Sequence, residues 1–247
     1  MTNPLPYCGM APVPGALIDR FNLDPVLVGA LLLACALQWI ALNRNPGRFY
    51  ALGGWFVAAF AFQSPLCALS VSLFSARVGQ HMILMLVAAP LIALGLPRLK
   101  RSTGAWSIWL AASAFFLFLW AWHMPLLYAA TFASVPVYWT MHLTLFGSAI
   151  WLWRGLLQHS TGQTGAALAA GTVTFVQMGL LGAVLTFADH AMYRWHFAST
   201  QAWGLSPLQD QQLGGVFMWV PATGLFLWVS LRSVVRMWHS IERTRSA

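Results

Sequence analysis

The chain has 247 residues, of which 59% are hydrophobic and 7% charged, where an average soluble domain carries roughly 25% charged residues. That balance excludes an ordinary soluble protein, and 14 Trp with 16 Phe exclude a disordered one. A net charge of +8 would point to nucleic acid in a soluble chain, but here the charges follow a membrane pattern, so no nucleic-acid partner is expected. Three cysteines are too few for a disulfide scaffold.

A membrane helix needs about 20 mostly apolar residues. Stretches of that kind, bounded by charge, Pro or Gly, are predicted at 25–42, 50–71, 78–96, 104–122, 137–157, 166–188 and 213–235. The runs lack the alternation of barrel strands, so the expected fold is all-α: a polytopic bundle of seven transmembrane helices in the lipid bilayer. Residues 1–24 form an outer tail, 25–235 the transmembrane domain and 236–247 a basic cytoplasmic tail. The outer tail has no basic segment before an apolar core, so the first span is expected to direct insertion.

An odd number of spans puts the termini on opposite sides. Arg20, Arg77 and Arg194 then fall on one side. Arg44, Arg48, Arg98, Lys100, Arg101, Arg154, Arg232, Arg236, Arg243 and Arg245 fall on the other. The positive-inside rule places the N-terminus outside and the C-terminus in the cytoplasm. The long connection from 189 to 212, with Tyr193, Trp195, Trp203 and Pro207, is expected to cover the outer mouth with its aromatics at the interface.

Polar chemistry collects at that outer end. His81, His123, His142, His190 and His196 map there, and only His159 and His239 are cytoplasmic; Met10, Met82, Met85, Met124, Met141, Met192 and Met218 follow the outer set. Imidazole with thioether suits copper, particularly Cu(I). His81 and Met85 are four apart and share a helix face, and Met82 is displaced by about a third of a turn. Pro125 stops or kinks a helix just after His123 and Met124. Pro136 suits a helix start that leaves Met141 and His142 one to two turns below the surface.

The expected metal ligands are therefore His81, His123 and His142, helped by Met85 or Met124, with Met82, Met141, Cys8, Met10, Cys67, His190 and Asp210 as candidate accessories. A lone histidine in a membrane helix can equally bond a neighbouring helix, and methionines fill core gaps; the shared depth favours a site. Cys8 and Met10 form a Cys-x-Met pair that could capture Cu(I), and Cys67 could complete a site or pair with Cys8. Cys35 reads as packing. Asp189 and His190 end the sixth span, where an ion pair of Asp189 with Arg194 or a metal would satisfy the carboxylate. Asp210 precedes the seventh span and can cap it, and Gly214-Gly215 allows a close helix approach.

No phosphate loop, metalloprotease helix or nucleophile triad is present in the sequence, and five acidic residues leave few agents for acid–base chemistry. A non-enzymatic role is expected. Copper handling ranks first. A haem-binding electron-transfer protein is the alternative, since two histidines on facing helices can ligate iron axially. A copper transporter ranks last, because Met178 is isolated in the cytoplasmic half.

Five separated motifs resemble the CtaG-type assembly factors of cytochrome c oxidase. They are Ser64-Pro65-Leu66; Phe74-Ser75-Ala76 with Gln80-His81-Met82 and Pro90; Trp122-His123-x-Pro125-x-x-Tyr128; His142 with Phe146 and Trp151; and Asp210-Gln211-Gln212-x-Gly214-Gly215 with Met218-Trp219. The resemblance implies a role in maturing haem–copper oxidases at the outer face of the bacterial inner membrane. Its expected partner is an oxidase subunit or another copper chaperone. Two departures stand out: Arg77-Val78 replaces a His-Met pair common in such proteins, and Met141 replaces an acidic residue before the fifth-span histidine.

Overall fold

The computed structural model describes residues 5–43, 45–97 and 104–245. Ten α-helices make up the fold among them, with no strand: α1 (Pro25–Leu42), α2 (Arg48–Gln63), α3 (Pro65–Ser72), α4 (Phe74–Ile83), α5 (Ala89–Gly95), α6 (Gly104–His123), α7 (Pro125–Ala133), α8 (Val135–Gln158), α9 (Thr164–Thr186) and α10 (Pro207–Arg245). Asp24 starts α1 by accepting from the Val26 N–H at 2.9 Å, with Pro25 in the first turn.

Five stretches are long and apolar enough to cross a membrane, or six if α2 and α3 count as one span bent by 51°. The sequence leads to an expectation of seven. The difference lies in α8, which is 24 residues long but dilutes its apolar residues with Tyr, Trp, Thr and His. The bend follows from Ser64-Pro65: Pro65 has no N–H to continue α2, and the Ser64 hydroxyl accepts from Leu66 N–H at 3.3 Å to begin α3.

α4 and α5 form one span, joined by a π-helical turn at Leu84–Ala88. Pro90 lies just beyond it and cannot donate to the carbonyl four residues earlier, a common cause of such a shift. The turn leaves the Met85 carbonyl to accept from Trp153 Nε1 at 2.6 Å. This span is the centre of the bundle, 67% of its apolar window being buried against 11% for the peripheral α1.

Asp210 corrects an expectation. It does not cap its own helix, because α10 already begins at Pro207. Its carboxylate instead accepts from Phe74 N–H at 2.7 Å, Ser75 N–H at 3.1 Å and the Ser75 hydroxyl at 2.5 Å, and so caps α4 from across the bundle. That cap starts the third span at Phe74. Arg77, counted above as an outer flanking charge, is thereby placed inside the helix and buried. Arg44, Arg98, Lys100 and Arg101, which also entered the sorting by side, lie outside the described residues.

Gly215 packs directly on Gly182 and Thr186 of α9, and an added Cβ would come within 2.7 Å of the Gly182 carbonyl. Gly214 meets the ring of Phe74 in the same way, at 2.6 Å. α10 spans 39 residues, about 58 Å at 1.5 Å per residue, so the segment read as a basic tail continues as helix.

Residues 5–24 fold back over one end of the bundle. Pro12 O accepts from Ser72 Oγ at 2.8 Å and from Trp203 Nε1 at 3.2 Å, and Ser199 Oγ donates to Ser72 O at 2.6 Å. The tail and the connection after α9 therefore close the same mouth. Tyr193 and His196 of that connection are buried, at 4% and 2% exposure, so it enters the core rather than lying at an interface.

Candidate functional site

His81 comes from α4 and His142 from α8, and their rings meet edge to face with centroids 5.1 Å apart. Both side chains are buried. His142 Nδ1 donates to the Tyr138 carbonyl at 3.0 Å, one turn back on its own helix. A carbonyl only accepts, so the proton is on Nδ1 and the lone pair on Nε2. Nε2 of His142 and Nε2 of His81 are both buried without a hydrogen-bond partner. Buried polar atoms are nearly always satisfied; two orphaned ring nitrogens on contacting rings, one of them carrying a lone pair, could hold a soft metal ion. A ligating histidine commonly holds its second ring nitrogen on a carbonyl in this manner.

The walls are aromatic. Phe62, Tyr138 and Trp139 lie 5.0, 4.3 and 6.1 Å from the His142 ring, centroid to centroid. Gln80 fixes α4 against α2 by donating to Ala61 O at 2.8 Å.

His123 ends α6 and is also buried. Its Nδ1 donates to Leu119 O at 2.7 Å, and its own carbonyl accepts from Tyr193 Oη at 2.8 Å. The structure brings His81 and His142 into contact and leaves His123 outside that contact. Among the described residues no group of three His, Cys, Asp or Glu side chains is gathered at metal-binding distance. Met82, Met85 and Met141 are buried in the main core cluster. Met124, between α6 and α7, and Met10, in the tail, are 52% and 66% exposed and are not part of that cluster.

Cys8 and Cys67 form a disulfide, with Cα atoms 5.5 Å apart. The alternative that Cys67 pairs with Cys8 is the one adopted, so in this state neither offers a thiolate. The bridge lies against Tyr138 Oη, 3.5 Å from Cys8 Sγ and 3.9 Å from Cys67 Sγ. Tyr7 stacks on Tyr138 at 4.9 Å and donates to Asp24, which holds that carboxyl below its usual range. The tail thus roofs the Tyr138–His142 side of the site. Cys35 is a free, half-buried thiol on α1.

Asp189 pairs with the adjacent His190 rather than with Arg194, because neighbouring side chains at the exposed end of α9 reach one another without ordering a longer one. That contact lowers the Asp189 carboxyl from its ordinary value. His159 lies at the far end of α8, its Nδ1 2.8 Å from Leu156 O.

Arg77, which the sequence marked as a departure from the family's motif, is buried beside this region in an aromatic cage that the sequence did not foresee. Its guanidinium donates to Thr131 Oγ1 at 2.9 Å and lies over the rings of Phe132, Tyr128 and Tyr138 at 4.2, 5.3 and 5.5 Å. The available signal was its position four residues before His81, on the same helix face. Tyr138 was not foreseen either, although it stands four before His142.

No curated protein and no solved structure gives a significant match to the chain. A family model described as cytochrome c oxidase caa3 assembly factor matches residues 33–240, a range that holds every motif quoted above. The chain belongs to the cytochrome c oxidase caa3 assembly factor family, Caa3_CtaG.

Proposed function

We propose that this protein holds Cu(I) at the outer end of its bundle and hands it to an oxidase subunit or to another copper chaperone during cytochrome c oxidase assembly. The observation that carries the reading is the pair of orphaned, buried Nε2 atoms on His81 and His142. Two neutral imidazoles satisfy a monovalent soft ion without a charged cage, and buried methionine sulfurs of the same core provide further soft donors. His123, on the neighbouring helix α6, is the third imidazole of the proposed set. Copper is cargo here, and no bond-making chemistry is assigned to the chain.

The proposed topology is seven spans in the bacterial inner membrane, with the N-terminus outside. C-terminal fusions should be active with a cytoplasmic reporter and silent with an export-dependent one. The reverse pattern would put the histidines on the wrong side for delivery to the oxidase.

A porphyrin between two axial imidazoles holds them on opposite faces of its plane. Rings 5.1 Å apart and edge to face leave no room for that plane, which argues for copper over haem at this pair.

The test is a Cu(I) titration of purified protein against a chromophoric chelator. His81→Ala or His142→Ala should abolish tight binding, and His159→Ala should leave it intact. A well-folded variant lacking His81, His123 and His142 that still binds copper would place the site elsewhere.

A further inference from the structure

We infer that Arg77 is a charge selector: its buried guanidinium makes the His81–His142 pair accept a monovalent metal ion in preference to a divalent one. The inference rests on the copper-binding reading above and adds what the ligands themselves cannot supply. Two imidazoles suit Zn(II) as well as Cu(I), so ligand chemistry alone does not discriminate between them.

Arg77 stands one helical turn before His81, on the same face of α4. It is 1% exposed. Guanidinium keeps its proton in proteins, so the charge is permanent. Among the described residues no carboxylate pairs with it, and Asp189 is engaged by His190. Asp210, near the start of the same helix, is committed to the Phe74 and Ser75 donors. The guanidinium is held by Thr131 Oγ1 and by the faces of Phe132, Tyr128 and Tyr138, while its Nε has no partner.

The cage also ties it to the metal pair, because Tyr138 is shared: its ring lies under Arg77 and 4.3 Å from the His142 ring. A cation at the pair therefore faces a fixed positive charge across a dry, aromatic interior where screening by salt is weak. Coulomb repulsion is proportional to the charge of the ion. A divalent ion is penalised twice as strongly as a monovalent one, in free energy.

This gives a quantitative test on the full-length protein in detergent. Dissociation constants for Cu(I) and Zn(II) are measured by chelator competition for the wild type, Arg77→Met, Arg77→Lys and Thr131→Asp. Arg77→Met removes the charge and keeps an apolar chain over the rings. It should tighten both ions, with the gain for Zn(II) close to the square of the gain for Cu(I). Arg77→Lys keeps the charge and should stay near the wild-type selectivity. Thr131→Asp leaves Arg77 in place but neutralises it, so it should shift selectivity in the direction of Arg77→Met and serves if that variant fails to fold.

Equal gains for the two ions, no gain, or an Arg77→Lys protein that behaves like Arg77→Met would overturn the charge selector while leaving copper binding standing. Failure of every protein to bind either ion in a manner sensitive to His81 and His142 would overturn both readings.

Discussion

The imidazoles of His81 and His142 touch edge to face, centroids 5.1 Å apart, and both Nε2 atoms lack a hydrogen bond. Two rings that share one ion act as a unit, so their losses should not add. His81→Ala and His142→Ala should each weaken Cu(I) binding by more than about 10-fold, the lower range for loss of a metal's supporting shell. The double variant should be little worse than either single one. Additive losses in the same titration would mean two independent sites.

The Cys8–Cys67 bridge closes a separation of 59 residues and pins the N-terminal tail to α3. Loop-closure entropy for that length corresponds to as much as about 4 kcal/mol. Cys8→Ser should lower the thermal midpoint in detergent and expose the tail to protease. Denatured wild-type protein should titrate as one free thiol, that of Cys35, before reduction and three after it. Three without reductant would disprove the bridge.

Asp210 caps α4 through three hydrogen bonds in a buried site. Asp210→Ala leaves the Phe74 and Ser75 N–H groups unsatisfied, a loss of about 2–3 kcal/mol. Asp210→Asn keeps an acceptor oxygen and should lose about half as much. Chemical or thermal unfolding of the two variants ranks them, and an Asn variant as damaged as Ala would mean that charge rather than acceptance matters.

His196 lies in the connection between α9 and α10, with Nε2 2.7 Å from Tyr128 Oη. Burial, with a smaller contribution from the charge of Arg77, pushes its imidazole down to about 3. The unfolded chain takes up this proton near 6.5 and the folded one does not until about pH 3. Stability is therefore complete above about pH 6.5 and is lost as pH falls toward 3. His196→Asn cannot take up the proton, so its midpoint should fall less steeply between pH 7 and 4. Parallel pH profiles would show that His196 does not drive the acid loss.

The helical class and the positions of the long apolar helices were legible in the sequence. Both depend on local properties: apolar length and Pro breaks. The family was legible as well, because its motifs are short and local. The partnerships were not. That Asp210 caps α4 instead of its own helix depends on how α10 lies against α4, and this cap is what carries Arg77 from a loop into the interior. The choice between pairing and ligation for Cys8 and Cys67 depends on where the tail lands. Contact between His81 and His142, with His123 left aside, is fixed by the packing of α4 against α8. Depth along a helix can be counted from sequence, but the rotation of one helix relative to another is set by many side chains interlocking at once, and only the tertiary structure resolves it.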